Sequence, residues 1–142
     1  MSCVRIALIS MGLLGVLSMM AYAQRTDRVL PSERQLVEQT LQGLETGNPE
    51  RVLVYARGSI RIALVGAQTL YSPAQARYVL RAFFEEHPPA DVVLVREFRR
   101  QGHLFVISRL ITKKRETFRV YVRFSRDRKG WSFRELRIDA AP

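Results

Sequence analysis

From Asp91 to Asp139, apolar and polar residues alternate through four runs, DVVLVREFRR, HLFVISRLI, TFRVYVRFS and WSFRELRID, separated only by short turns. Alternation with period two sets one face of a strand against a core and leaves the other in water. The four runs therefore predict a continuous antiparallel meander. Gln101-Gly102 suits the first tight turn, and Lys113-Lys114-Arg115 and Arg126 to Gly130 form the other two tips. With Thr112 to Glu116 as the loop, Leu110 falls opposite Phe118, Ser108 opposite Val120, Val106 opposite Val122 and Leu104 opposite Phe124. The other face then pairs Arg109 with Arg119, Ile107 with Tyr121 and Phe105 with Arg123. Two arginines directly opposite repel, so anions, acidic side chains or water must lie between them. In the last run the frame changes, since Trp131 and Phe133 suit one face and Leu136 and Ile138 the other. A β-bulge near Arg134 reconciles the two halves and bends the sheet.

Ahead of the meander the period lengthens to that of helices. Ser32 caps a helix with Gln35 at the reciprocal capping-box position, Leu36, Val37, Leu41 and Leu44 line one face, and Gly47 ends it. Asn48-Pro49-Glu50 opens a second, shorter helix with Val52, Leu53 and Ala56 buried and Gly58 as its stop. Ser59 to Val65 alternates as a half-buried strand, Gly66 breaks it, and a loop runs to Tyr71. Ser72, Pro73 and Gln75 then start the clearest helix, whose Ala76, Val79, Leu80, Phe83 and Phe84 form a core-facing stripe until Pro88-Pro89 forbids continuation. The order predicts an α+β domain: helix, helix, strand, helix, then a four-strand antiparallel curved sheet packed on the helices like a cone.

Residues 1–23 do not belong to that domain. One positive charge in Met1 to Arg5, an uncharged apolar run from Ile6 to Met20 and the small residues of Ala21-Tyr22-Ala23 have the layout of a secretory signal cleaved near Ala23. An uncleaved N-terminal membrane anchor is the alternative. A flexible lead, 24–31, would precede a single domain, 32–142, in a secreted or periplasmic protein. The one cysteine, Cys3, leaves with the signal, so no disulfide, thiolate nucleophile or Cys metal ligand remains.

Charge changes the picture of the sheet. Residues 24–90 hold 8 basic and 7 acidic side chains, whereas Asp91 onward holds 14 basic and 6 acidic. Arg supplies 20 of the 23 basic residues, which favours bidentate contact with carboxylate or phosphate. A base-composition bias of the genome yields the same excess.

The run Tyr71-Ser72-Pro73-Ala74-Gln75-Ala76 with Phe83-Phe84, then Phe118-Arg119-Val120 and the ending Glu135-Leu136-Arg137-Ile138, resembles the nuclear-transport-factor-2-like superfamily, the cystatin-like cone. More narrowly it is similar to the small secreted bacterial family called domain of unknown function 4783. The resemblance spans nearly the whole of 24–142 and rests on packing and capping motifs. It implies a conical pocket between sheet and helices, which relatives use for isomerases, dehydratases or partner binding, and homodimers through the open sheet face. It implies no particular chemistry.

The residues themselves offer few chemical candidates. An acid–base enzyme of this fold needs a carboxylate or imidazole inside the cone. Glu97, sharing parity with Val93 and Val95, is the weak candidate base, with Tyr55, Tyr78 and Ser108 as ligand-binding neighbours; a rim ion pair with Arg96, Arg99 or Arg100 competes with that reading. His87 at a helix end and His103 at a hairpin tip read as structural or solvated. No nucleotide, zincin, calcium or nucleophile-elbow motif is present, and two distant histidines without cysteine speak against a transition metal. No cofactor is expected. Phe105, Arg109, Arg119, Tyr121 and Arg123 form a basic, aromatic sheet face suited to an acidic protein, a glycan or an anionic lipid surface. Nucleic acid fits poorly with export, and a solvated charged face that blocks edge pairing is the plain alternative. The leading expectation is an exported, non-catalytic binding domain. The others are a small lyase or isomerase and a homodimerising module.

Overall fold

The computed structural model describes residues 30–142, and the predicted signal, its cleavage site and the lead up to residue 29 lie outside the described residues. The chain runs α1 (Glu33–Thr46), α2 (Pro49–Val52), β1 (Ala56–Leu64), β2 (Ala67–Tyr71), α3 (Pro73–Glu86), β3 (Pro89–Arg100), β4 (His103–Thr112), β5 (Thr117–Asp127) and β6 (Gly130–Ala140). No helix among the described residues is long and apolar enough to cross a membrane.

Both long helices begin as their capping boxes dictate. Ser32 and Ser72 accept from the Gln35 and Gln75 amides while each glutamine reaches back to the cap. Gly47, at φ 63°, closes α1 in the left-handed region. Gly43 is needed for a different reason: a Cβ there would sit 2.6 Å from the Val52 amide nitrogen, so α2 can lie this close only against a glycine.

One sheet of six curved strands carries the core, in the order β2-β1-β6-β5-β4-β3. The expectation of four antiparallel strands is corrected twice. First, β1 joins the sheet beside β6 and parallel to it, which makes the sheet mixed. Second, residues 67–71, expected as loop, form an edge strand antiparallel to β1, with Ile60 opposite Tyr71. Val65 and Gly66, both at positive φ, turn β1 back on itself. Because β2 is exposed on both faces, it has no alternation to betray it. The second helix also stops sooner than expected, at Val52, and Ala56 and Gly58 belong to β1. Leu53 to Tyr55 leave the helix as a hydrogen-bonded turn, the Val54 amide donating to the Arg51 carbonyl and the Ala56 amide to the Leu53 carbonyl, and Gly58 (φ 68°) lies within β1 rather than at a helix stop.

In the meander the expected β4–β5 register holds at every position, from Leu110 opposite Phe118 to Leu104 opposite Phe124. Gln101 and Gly102, with φ of 49° and 74°, make the tight β3–β4 turn. Between β5 and β6, Arg123 faces Glu135 and Phe124 faces Phe133, so Arg134 is the bulged residue. The inner face carries Leu104, Val106, Leu110, Val120, Val122, Phe124, Phe133, Leu136 and Ile138, packed on Leu36 and Leu44 of α1 and Leu80, Phe83 and Phe84 of α3. The middle of the cone is therefore filled by side chains. Among the described residues, its ends and the outer face of the sheet remain open to other molecules.

Candidate functional site

The first candidate is the outer face. Arg109 and Arg119 lie directly opposite on β4 and β5, both exposed, and neither makes an ion pair among the described residues. Beside them Phe98 and Phe105 stack at 4.8 Å between ring centres, and Tyr121 continues the row 5.9 Å from Phe105. The Arg96 guanidinium lies 4.9 Å above the Phe98 ring. Burial against this row is the main cause that raises the Tyr121 phenol above its ordinary pKa, with the Glu135 carboxylate adding to it. Two shallow depressions flank Tyr121. One, about 360 Å³, is lined by Val95, Ile107, Arg109, Arg119 and the C-terminal Pro142. The other, about 270 Å³, is lined by Arg61, Arg123 and Arg134 with Ser59 and Ser125.

Arg123 differs from the other arginines of this face. Its Nε donates to Glu135 at 3.1 Å, and Arg61 stands 3.9 Å from the same carboxylate. Glu135 is only 9% exposed although it lies on the outer side of the sheet. An ion-paired acid is thus present at Arg123, whereas Asp139, the acid opposite Arg119 on β6, makes no ion pair with it and Arg109 faces Val93 on its other side.

The second candidate is a cleft of about 630 Å³ at the end of the cone, between α3 and the ends of β1 and β5. Leu64, Val79, Phe83 and Phe118 wall it, and His87 and Glu116 close its polar end. His87 follows the last turn of α3 and lies between the Phe83 and Phe118 rings, at 4.8 and 5.0 Å. Its Nδ1 is 3.1 Å from both Glu116 oxygens, and Thr112 Oγ1 donates to the same carboxylate. These donors hold Glu116 below the usual carboxylate range, the His87 hydrogen bond being the largest cause.

A carboxylate whose pKa falls on folding contributes stability above the ordinary carboxylate range, and loses it as pH drops through its folded value. Glu116→Gln should therefore flatten the fall in melting temperature between about pH 5 and pH 3. Some slope should persist, because Asp127 is likewise held low by the Lys129 amide and by Arg57. A pH-dependent melting series on both proteins checks this, and identical slopes would discount the pair.

The other expected site residues are dispersed. A bulge at Val95 breaks the shared parity of Val93, Val95 and Glu97, so Val93 faces Arg109 on the outer side and Glu97 faces Val106. Glu97 is exposed on the edge strand rather than enclosed. Tyr55 lies against the core just before β1, where its carbonyl accepts from the Phe133 amide. Four strand spacings separate β1 from β3, about 19 Å. Tyr78 is exposed on α3 at the cleft mouth. Ser108 is buried on the inner face, and its hydroxyl has no hydrogen-bond partner. The four side chains do not converge. His103, at the β3–β4 tip, bonds Ser125 at 2.8 Å. Among the described residues, no group of three or more His, Asp or Glu is placed to hold a metal ion.

Helices on one side of a curved mixed sheet define a nuclear-transport-factor-2-like fold. An NTF2-like protein of unknown function from Shewanella baltica is similar in structure, with a TM-score of 0.59 at 11% identity over 77% of this chain and 90% of that one. The chain belongs to the family described as domain of unknown function (DUF4783), which matches residues 37–139. Family proteins from Bacteroides uniformis and Bacteroides ovatus superpose with TM-scores of 0.68 and 0.69 at 22% and 18% identity. They cover 74% and 73% of this chain and 96% and 94% of their own. No curated protein matches the chain.

Proposed function

We propose that this chain is an exported, non-catalytic binding domain that holds an acidic protein segment on the outer face of its sheet. The facing, unpaired Arg109 and Arg119 carry this reading. Like charges in directly opposite positions cost stability; Glu135 holds Arg123 in an ion pair, whereas Arg109 has none and Asp139, opposite Arg119 on β6, makes no ion pair with it. A second copy docked with its two-fold axis at these arginines would bring them against their own mates, and an acidic occupant avoids that repulsion. The Phe98–Phe105–Tyr121 row adds apolar contact of the kind found at the centre of protein interfaces. Arg119 and Arg123 are four residues apart on one strand face, about 13 Å. An extended segment therefore sets a carboxylate at Arg109 and Arg119 and its apolar side chains on the aromatic row toward Arg123, whose charge Glu135 already offsets.

The test uses a synthetic extended peptide alternating Asp or Glu with Phe. It should bind at low salt and weaken steeply as salt is added. Arg109→Glu with Arg119→Glu should weaken it by about tenfold or more, roughly the 1.4 kcal/mol expected from losing charge pairs at an interface. Unchanged affinity in the double variant would refute the reading. Tighter binding to phosphatidylglycerol vesicles or to heparin than to the peptide would reassign the face to lipid or glycan.

A further inference from the structure

The cleft beside α3 has a chemistry opposite to that of the outer face. Glu86 and Glu116 lie at its polar end, and neither lysine nor arginine lines it, in a chain of net charge +10. Lys114 is directed to the Glu86 carbonyl at 2.7 Å, where it caps the end of α3. Its charge also lowers the Glu116 pKa, as the smallest of the causes.

The geometry around His87 is specific. In the neutral tautomer that donates Nδ1–H to Glu116, Nε2 is the nitrogen that accepts. Nε2 lies 3.8 Å from Glu86 Oε1, too far for a hydrogen bond. Two acceptors at that separation, beside an apolar cleft of about 630 Å³, leave a place for one donor that can reach both. A primary ammonium has the charge and the several N–H groups to do so. The walls ask for an apolar body behind that head, since Leu64, Val79, Phe83 and Phe118 offer it only carbon. The size lies within the range of small-molecule sites, roughly 300–1,000 Å³.

We propose that this cleft binds a small hydrophobic amine, its ammonium bridging His87 Nε2 and the Glu86 carboxylate and its body lying between α3 and Phe118. The site is separate from the outer face and does not depend on the acidic-partner reading.

The probe is 2-phenylethylamine, titrated into the full chain and followed by amide chemical shifts, with phenylacetate as the partner of similar body and opposite charge. The amine should saturate, with shifts confined to α3, the end of β1 and the start of β5. Phenylacetate should bind about tenfold more weakly or worse. Glu86→Gln should cost the amine about tenfold, and its exposed position spares the fold. Ala82→Trp, exposed on the cleft side of α3, should abolish binding by filling the space. Arg109→Glu with Arg119→Glu should leave amine binding unchanged. Equal binding of amine and acid, no effect of Glu86→Gln and Ala82→Trp, or no saturation in the millimolar range would each overturn the proposal.

Discussion

Deletion of Arg134 should unfold the domain or nearly so, whereas Arg134→Ala should leave it folded. The contrast follows from parity. Arg134 is the residue of β6 with no counterpart on β5, and it lets Phe133 on one side and Leu136 and Ile138 on the other all reach the core. Without it, a regular strand must turn one half of β6 over. Either Trp131 and Phe133 move to the outer face, or Leu136 and Ile138 do, with Glu135, Arg137 and Asp139 turning inward. Exposing two large apolar side chains costs roughly 3–6 kcal/mol, against a total stability of about 5–15 kcal/mol for a domain of this kind. Arg134→Ala keeps the backbone count and loses one hydrogen bond, from Nη1 to the Arg57 carbonyl at 2.9 Å, worth about 1 kcal/mol. Urea unfolding followed by near-ultraviolet circular dichroism separates the two. A deletion protein with the parent midpoint would show that the bulge carries no such constraint.

That bulge is also the clearest case of what was legible in the chain. Apolar residues at 131 and 133 and again at 136 and 138 cannot share a face of a regular strand, so the pattern itself demands an extra residue between them. The β4–β5 register was legible for the same reason, because one slip would expose Leu104, Val106 and Leu110 together. Ser32 and Ser72 announced their helices through local hydrogen bonding that tertiary structure had no cause to override. By contrast, β2 has no buried face and so leaves no pattern, and the parallel neighbour of β1 is a non-local choice between sheet edges. The cleft was hidden for another reason. His87 and Glu116 are 29 positions apart, and each alone looks like surface. They were nevertheless within reach of the hairpin argument. Carrying the Gln101-Gly102 register back along β3 without a break sets Pro89 opposite Lys114, and two bulges shift it to Thr112; either register brings the chain at His87 beside the turn that ends in Glu116. On the outer face, alternation placed the arginines correctly but could not show which of them was already neutralised. That depends on Glu135, which the bulge at Arg134 sets opposite Arg123.

The neutralised arginine yields the second large effect. Arg123→Ala should destabilise the domain by about 2–3 kcal/mol, while Arg119→Ala should change it by less than about 0.5 kcal/mol. Glu135 is nearly enclosed and Arg123 is about three-quarters so, with side-chain exposures of 11% and 23%. Removing the guanidinium strands a carboxylate that water barely reaches, which costs far more than the pair itself contributes. The figure lies below that for a fully buried pair because Arg123 keeps some solvent screening and Arg61, 3.9 Å from Glu135, supplies part of the lost charge. Arg119 strands no enclosed acid, since Asp139 opposite it on β6 is partly exposed and not ion-paired with it, and its loss relieves its repulsion with Arg109. Arg123→Glu should be worse than Arg123→Ala, since it sets two carboxylates opposite each other on β5 and β6. Replacing both partners, as Arg123→Leu with Glu135→Leu, should recover most of the stability lost in either single change. A double-mutant cycle in urea measures the coupling, and equal costs for Arg123→Ala and Arg119→Ala would show that Glu135 needs no partner. The cycle also bears on function. Arg109 and Arg119 are exposed and in no ion pair, so their replacement by Ala, which unlike Glu sets no new carboxylate opposite Asp139, lets loss of an acidic partner report on binding rather than on the fold.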